Sequence, residues 1–582
     1  MPCALGPPPI PPTLKHTWMD VDSKDETQAT EELSKVERTK AASAHLRGTI
    51  AAELEEATPT FTEEAGTLLK FHGVYQQDDR DRRKEARAKG LDKHHQMMIR
   101  TRIPGGVVSP EGYLAHDRIA GEWGNGTLRV TTRQDFQLHG VLKGDLHAGV
   151  HAINEALMTT LGGCGDQNRN IMFCPAPAQD RLRGEVRALL AQLVPALTPS
   201  TRAYHEIWID GEVVHDGKPP ADETEDLYGE SYLPRKFKTA LALDGDNCVD
   251  VYANDLGLVA IADREGGLAG FNVLVGGGLG RTANKPETFP AIAQPLGFVT
   301  PDRAIAVSRA VVAVQRDHGD RANRRHARLK YLVHDRGLDW FRAQVEAEAG
   351  FQLQRPRPMR RLQMHDHLGW NQGWYGLYVE NGRIEGSLRD ALREAVERFR
   401  PAVYLTGQQN VLLAGIEDRR GLEAIFRKHG VPLTEEISPT LRNSMACPAL
   451  PTCGLAVAES ERALPGLIRQ IEALVRGLGL EDEQISYRMT GCPNGCARPY
   501  LGDVGFVGTT LGKYDVYLGG DFTGTRLNRL FARNVRLAEI PALLEGPLSA
   551  FGAERQAGEG FGDWCERVGV DSLRERFEEA AG

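Results

Sequence analysis

Two stretches of this chain occur twice. Residues 169–176 read RNIMFCPA and residues 442–449 read RNSMACPA, a displacement of 273 positions. Upstream, residues 131–141 (TTRQDFQLHGV) are echoed by residues 406–416 (TGQQNVLLAGI), displaced by 275. Order and spacing persist together, so the chain holds a duplicated unit with pseudo-two-fold architecture, and the natural ligand position is the seam between the copies. The copies have diverged unequally: the first keeps Arg133, His139 and Arg169, while the second has gained paired cysteines.

Short β-rich runs alternate with helices, which predicts an α+β fold. Residues 128–142, 206–214, 259–275 and 375–379 are expected to carry strands. After each RNxMxCPA element comes an apolar stripe at helical spacing, Leu182, Val186, Leu189, Leu190 and Leu193 in one copy and Leu464, Leu467, Ile468, Ile471, Leu474 and Val475 in the other; these are core. Residues 1–35, with a proline run and acidic residues, cannot bury enough surface to order themselves and are expected to form a mobile arm. Residues 31–56 read as helical, and the doubly charged run 76–89 as a solvated helix face. At 582 residues the chain has room for two to four domains. It lacks a membrane-length apolar stretch, and its opening resembles neither a secretory signal nor a transit peptide, so a cytoplasmic location is expected. A net charge of -9 gives no global pull toward nucleic acid or membrane, so any anion site must be local.

Of nine cysteines, Cys3, Cys164, Cys174, Cys248 and Cys565 are scattered, but Cys447, Cys453, Cys492 and Cys496 form two close pairs, C-x5-C and C-x3-C. Four thiolates on two loops suit an iron–sulfur cluster, because soft sulfur ligands select Fe–S, zinc or Cu(I). Zinc is the alternative, although neither pair has the x2 spacing of a zinc ribbon. Gly491, Asn494 and Gly495 let the second loop wrap closely around a bulky inorganic core.

The segments NSMACPALPTC and TGCPNGC resemble the cluster loops of the siroheme-containing sulfite and nitrite reductases. FHGVYQQDDRDRR (71–83), RIPGGV (102–107), RAYHEIW (202–208), YLPRKFK (232–238), FNVLVGGGLG (271–280) and GEGFGD (558–563) are similar to the same family, so the likeness runs from about residue 35 to the end. It is strongest toward the assimilatory, NADPH-dependent branch. The resemblance implies a three-domain siroheme protein: an N-terminal helix (36–60), paired ferredoxin-like half-domains (61–145 and 356–425), and two reductase domains (146–355 and 426–582). It also implies a [4Fe-4S] cluster on Cys447, Cys453, Cys492 and Cys496, with Cys496 bridging to siroheme. The activity implied is six-electron reduction of sulfite to sulfide, serving cysteine biosynthesis.

Sulfite and the carboxylates of siroheme both require concentrated positive charge. Arg100, Arg102, Arg129, Arg133, Arg169, Arg235, Lys236 and Lys238 are the local candidates, each by itself more commonly a solvated surface charge. Carried over residue by residue, the resemblance places Arg100, Arg169, Lys236 and Lys238 at the substrate, and Arg129, Arg133 and His139 on siroheme. A lysine can donate protons as S–O bonds break, whereas an arginine holds charge. Gly276–Gly280 is not a dinucleotide fingerprint, since Arg281 stands where G-x-G-x-x-G needs its last glycine. Electrons must therefore arrive from a partner protein, an NADPH flavoprotein or ferredoxin. A siroheme nitrite reductase and a non-catalytic cluster or zinc sensor remain the alternatives; lysine at both 236 and 238 favours sulfite, because plant-type nitrite reductases carry Asn at the second position.

Overall fold

The computed structural model describes residues 33–209 and 223–578. The expected arm, apart from its last three residues, and Cys3 lie outside them. Along the chain the strands come in four groups of five. The first is β1 (Val74–Asp78), β2 (His95–Arg100), β3 (Val107–Val108), β4 (Leu128–Val130) and β5 (Phe136–Val141). The second is β6 (Asn168–Met172), β7 (Phe237–Leu243), β8 (Leu256–Ala262), β9 (Leu268–Val275) and β10 (Gln294–Val299). The third is β11 (Gly369–Asn371), β12 (Trp374–Leu377), β13 (Arg383–Ile384), β14 (Ala402–Leu405) and β15 (Val411–Ala414). The fourth is β16 (Ser444–Ala446), β17 (Tyr487–Thr490), β18 (Val504–Thr510), β19 (Lys513–Leu518) and β20 (Arg529–Arg536).

The duplication is visible strand by strand. One sheet runs β1-β2-β5-β4-β13 and its counterpart β11-β12-β15-β14-β3, so each half-domain lends its middle strand to the edge of the other. The other two sheets run β10-β9-β8-β7-β6 and β16-β17-β18-β19-β20. In both, the first two pairings of the repeat are parallel and the last two antiparallel. Parallel pairing sends successive loops out at the same carboxyl edge, where open α/β sheets place ligands. The apolar stripes form helices Arg181–Ala196 and Leu464–Gly477, each burying its predicted face except for Leu182 and Leu474, which are half-buried.

Three local expectations are corrected. Residues 206–208, expected in a strand, end the helix Ala203–Trp208, because Tyr204, Ile207 and Trp208 are buried at helical spacing; residues 210–214 lie outside the described residues. The helix expected over 31–56 is two helices, Lys35–Ala41 and Ile50–Glu55, separated by a turn in which Ala44, His45 and Leu46 take positive φ. In the charged run 76–89, residues 76–78 belong to β1 and only Arg83–Ala88 is helical, that helix being without buried residues. Among the described residues no helix is long and apolar enough to cross a membrane.

Candidate functional site

β16 and β17 pair in parallel, with Ala446 beside Met489. The loops that follow both strands therefore leave the same edge, which brings Cys447 and Cys453 of one loop to Cys492 and Cys496 of the other. Cys447 and Cys492 are buried, Cys453 is half-buried and Cys496 is exposed. The Gly491 N–H faces Cys447 Sγ at 3.4 Å and Asn494 Nδ2 faces Cys492 Sγ at 3.5 Å, donors of the kind that stabilise charge on cluster sulfurs. Gly491 is required by space: a Cβ there would stand 2.4 Å from the Ala458 carbonyl and 2.6 Å from Ala449 Cβ. The charged run also meets this loop, where Arg80 Nη1 donates to the carbonyls of Cys453 (3.1 Å) and Ala456 (2.5 Å).

Cys496 opens onto a cavity lined by Arg133, Lys236, Lys238, Arg328 and Arg498. Four of the predicted site residues thus line one space. Burial, then the fields of Arg235, Arg169 and Arg328, brings Lys236 down to about 7. Lys238 is pushed well below its ordinary value by burial and by Arg133, Lys236 and Arg328. Burial alone is the main cause that takes Arg133 down to about 9. Arg328 and Arg498 are paired with Asp255 and Asp250, whereas among the described residues Arg133, Lys236 and Lys238 have no carboxylate partner, and their buried charge calls for an anion.

Arg100 and Arg169 stand beside this group: Arg169 acts on both Lys236 and Arg133, and Arg100 lies in the field of Cys496. Arg100 Nη1 donates to Cys164 Sγ at 2.8 Å, and Arg169 reaches the Gly165 carbonyl at 3.3 Å. Register explains part of the arrangement, since Arg100, Gln137, Arg129 and Arg383 oppose one another in turn across β2, β5, β4 and β13. Directly opposed residues share a face. His139 follows on that face of β5, buried, with neither ring nitrogen partnered among the described residues and held neutral by burial.

Arg129 is not among the cavity residues. Its Nε donates to Glu461 at 2.7 Å and its Nη2 to the Ala446 carbonyl at 2.9 Å, next to Cys447. Arg383 Nε donates to the same carboxylate at 2.6 Å. Arg235 is likewise turned to a carboxylate, that of Asp166 at 4.0 Å. Burial would raise Glu461, but Arg129 and Arg383 hold it at about 2. Glu461→Gln leaves a buried arginine uncompensated and is expected to lower stability by about 3–5 kcal/mol at pH 7. Since the folded pKa lies below the unfolded one, that stabilisation is complete above about 4.5 and fades as pH falls toward about 2. Urea midpoints of the two proteins should converge in acid; a constant gap from pH 7 to pH 3 would contradict the ion-pair account.

Arg328, Lys330 and Arg498 were not singled out from sequence. Arg328 forms a bidentate pair with Asp255 (2.8 and 2.9 Å), whose carboxylate also accepts from the Lys238 N–H at 2.9 Å. Lys330 Nζ donates to the Gly278 (2.9 Å) and Gly280 (2.7 Å) carbonyls, fixing the glycine run against the second cysteine loop. A Cβ on Gly280 would stand 3.0 Å from the Asn494 carbonyl. The basic run of residues 321–330 (RANRRHARLK) was the available signal.

Four thiols on two loops, next to a cavity onto which Arg133, Lys236 and Lys238 open, define a cluster-bearing redox protein with an anionic ligand. The family model described as the nitrite and sulphite reductase 4Fe-4S domain matches residues 192–353 and 438–582, one stretch in each repeat. The model of the nitrite/sulfite reductase ferredoxin-like half domain matches residues 89–156. The chain belongs to the nitrite and sulphite reductase family. It is 47% identical over 575 residues to a sulfite reductase [ferredoxin] of Synechococcus elongatus, covering 94% of this chain and 92% of that one. It is 44% identical over 548 residues to a sulfite reductase [NADPH] hemoprotein beta-component of Shouchella clausii, covering 92% and 95%. The solved structure of the Mycobacterium tuberculosis NirA protein superposes with a TM-score of 0.75 at 24% identity, covering 93% of this chain and 97% of that chain, a likeness of fold.

The residues present fit a [4Fe-4S] cluster and a polycarboxylate tetrapyrrole. The sulfur donors number four, on glycine-bearing loops, and the buried Arg133 Nε and both nitrogens of His139 have no hydrogen-bond partner among the described residues.

Proposed function

We propose that this chain reduces sulfite to sulfide, with Cys447, Cys453, Cys492 and Cys496 holding the [4Fe-4S] cluster and with Arg133 and His139 facing siroheme. The observation that carries this reading is the cavity that joins Cys496 to Lys236, Lys238 and Arg133. Siroheme and the cluster would relay electrons from a donor protein, six per sulfite, and the polypeptide supplies charge and protons.

Arg100 and Arg169 hold the oxyanion through their guanidinium N–H groups; Lys236, near neutrality in its pKa, gives up protons as oxygens leave as water. Lys238, its neighbour on the same strand edge, is drawn toward the charged form when an anion enters. Asp255 orients this pair through the Lys238 N–H and Arg328. Arg129 acts at one remove, tying β4 to the strand before Cys447. The two relatives' names point to different donors, ferredoxin for one and NADPH for the other. The present chain takes electrons singly from a separate protein, because its glycine run packs on the cysteine loop and has Arg281 where a dinucleotide fingerprint needs its last glycine.

The test is an assay of the purified holoprotein. It is expected to reduce sulfite with reduced methyl viologen while leaving NADPH untouched, and to show the intense visible bands of siroheme. NADPH consumption coupled to sulfide release without an added flavoprotein would overturn the division of labour; the absence of siroheme bands would overturn the reading itself.

A further inference from the structure

The first repeat has a ligand set of its own at the place where the second holds its cysteine loops. Cys174 matches Cys447 in the RNxMxCPA element. Cys248 stands eight residues before β8, as Cys496 stands eight residues before β18. Parallel pairing of β6 with β7 and β7 with β8 therefore brings Cys174 and Cys248 to one edge, as it does in the other copy. Two further ligands converge there: Asp246 from the same loop as Cys248, and His367 from the segment entering β11. One ligand atom from each of the four lies within 4.8 Å of all the others.

We infer that Cys174, Cys248, Asp246 and His367 bind a single zinc(II) ion. Cys174 Sγ lies 3.3 Å from Asp246 Oδ2 and 3.8 Å from His367 Nε2. A tetrahedral zinc with sulfur at about 2.3 Å and nitrogen or oxygen at about 2.0–2.1 Å separates such ligand pairs by about 3.6 Å. Cys174, Cys248 and Asp246 are buried and His367 is half-buried, so an ion could enter from the His367 side. Two thiolates with an imidazole and a carboxylate, all in tetrahedral reach, are a donor set for zinc rather than for a hard cation.

The surroundings hold the ligands in place. Asp246 Oδ1 accepts from the Cys248 N–H at 3.1 Å and faces His365 Nδ1 at 3.3 Å, which leaves Oδ2 for the ion. The His367 carbonyl accepts from Trp374 Nε1 at 3.1 Å and from Asn371 Nδ2 at 3.3 Å, and Gln408 Nε2 donates to the Cys248 carbonyl at 2.7 Å. Binding displaces the two thiol protons and involves no change of oxidation state. The ion would fasten the first reductase sheet to the segment leading into the second half-domain.

The test uses the full-length, iron-replete holoprotein, kept reduced, equilibrated with zinc sulfate and desalted. Element analysis is expected to find zinc retained at one per chain, and zinc-edge X-ray absorption to find two sulfur neighbours at about 2.3 Å. Cys174→Ser and His367→Ala should each lower retained zinc about tenfold with siroheme and iron contents unchanged, which also certifies that the variants are folded. Four results would overturn the assignment: zinc far below one per chain in the wild type, a zinc shell without sulfur, zinc retention indifferent to both substitutions, or Cys174 and Cys248 joined as a disulfide in the reduced protein. The absorption measurement stands on the wild type alone, so a variant that fails to fold does not shelter the proposal.

Discussion

Cys496→Ser should abolish sulfite reduction with every electron donor, including reduced methyl viologen. The exposed Cys496 is the member of its set that meets the cation-lined cavity, while Cys447 and Cys492 are buried away from it. A serine oxygen is a hard, poorly polarisable replacement for a thiolate that would ligate iron. The same substitution at Cys174 removes a sulfur from the other copy and should leave sulfite turnover within about twofold of wild type. The measurement is turnover alongside iron and siroheme content. Equal iron loss in the two variants would refute the assignment of the cluster to the second repeat.

Lys238→Asn should lower sulfite turnover on the order of 10²-fold, the scale of a lost general acid or charge donor, and nitrite turnover far less. Lys236→Gln is expected to act on the pH profile as well. A protonated lysine is the donor, so activity falls as pH rises through its pKa. The limb should lie at or above about 7, because siroheme carboxylates and sulfite favour the charged form. Steady-state profiles of the wild type and Lys236→Gln decide it: an unchanged alkaline limb in the variant would assign the proton to another group, and equal losses for sulfite and nitrite in Lys238→Asn would remove the substrate argument.

The repeat and the paired cysteines were legible because both are written in contiguous residues. RNxMxCPA marks the start of equivalent parallel sheets, and C-x5-C with C-x3-C marks the loops that leave them. Arg129 was harder to place, since its partner Glu461 lies 332 residues away and nothing local announces the pair. Arg328 and Lys330 stood in a run dense with charge, where only the fold separates a cavity residue from a solvated one. Cys174, Asp246, Cys248 and His367 come from three separate segments, and the sequence presents them as unrelated. The helix at Ala203–Trp208 was hidden by its brevity, because six residues support either period.

The exchange of β3 and β13 between half-domains has a consequence for how the chain is made. On the ribosome, β4 is synthesised with its outer edge unpaired, and the strand that covers it, Arg383–Ile384, emerges only after some 253 further residues. At translation speeds of about 5–20 residues per second, that edge waits roughly 12–50 s. An uncovered edge is a template for pairing with any other extended chain. A nascent chain of this protein is therefore most exposed to mispairing while its first reductase sheet is being built, and slowing its synthesis between residues 141 and 383 should lower the soluble yield more than slowing it after residue 384.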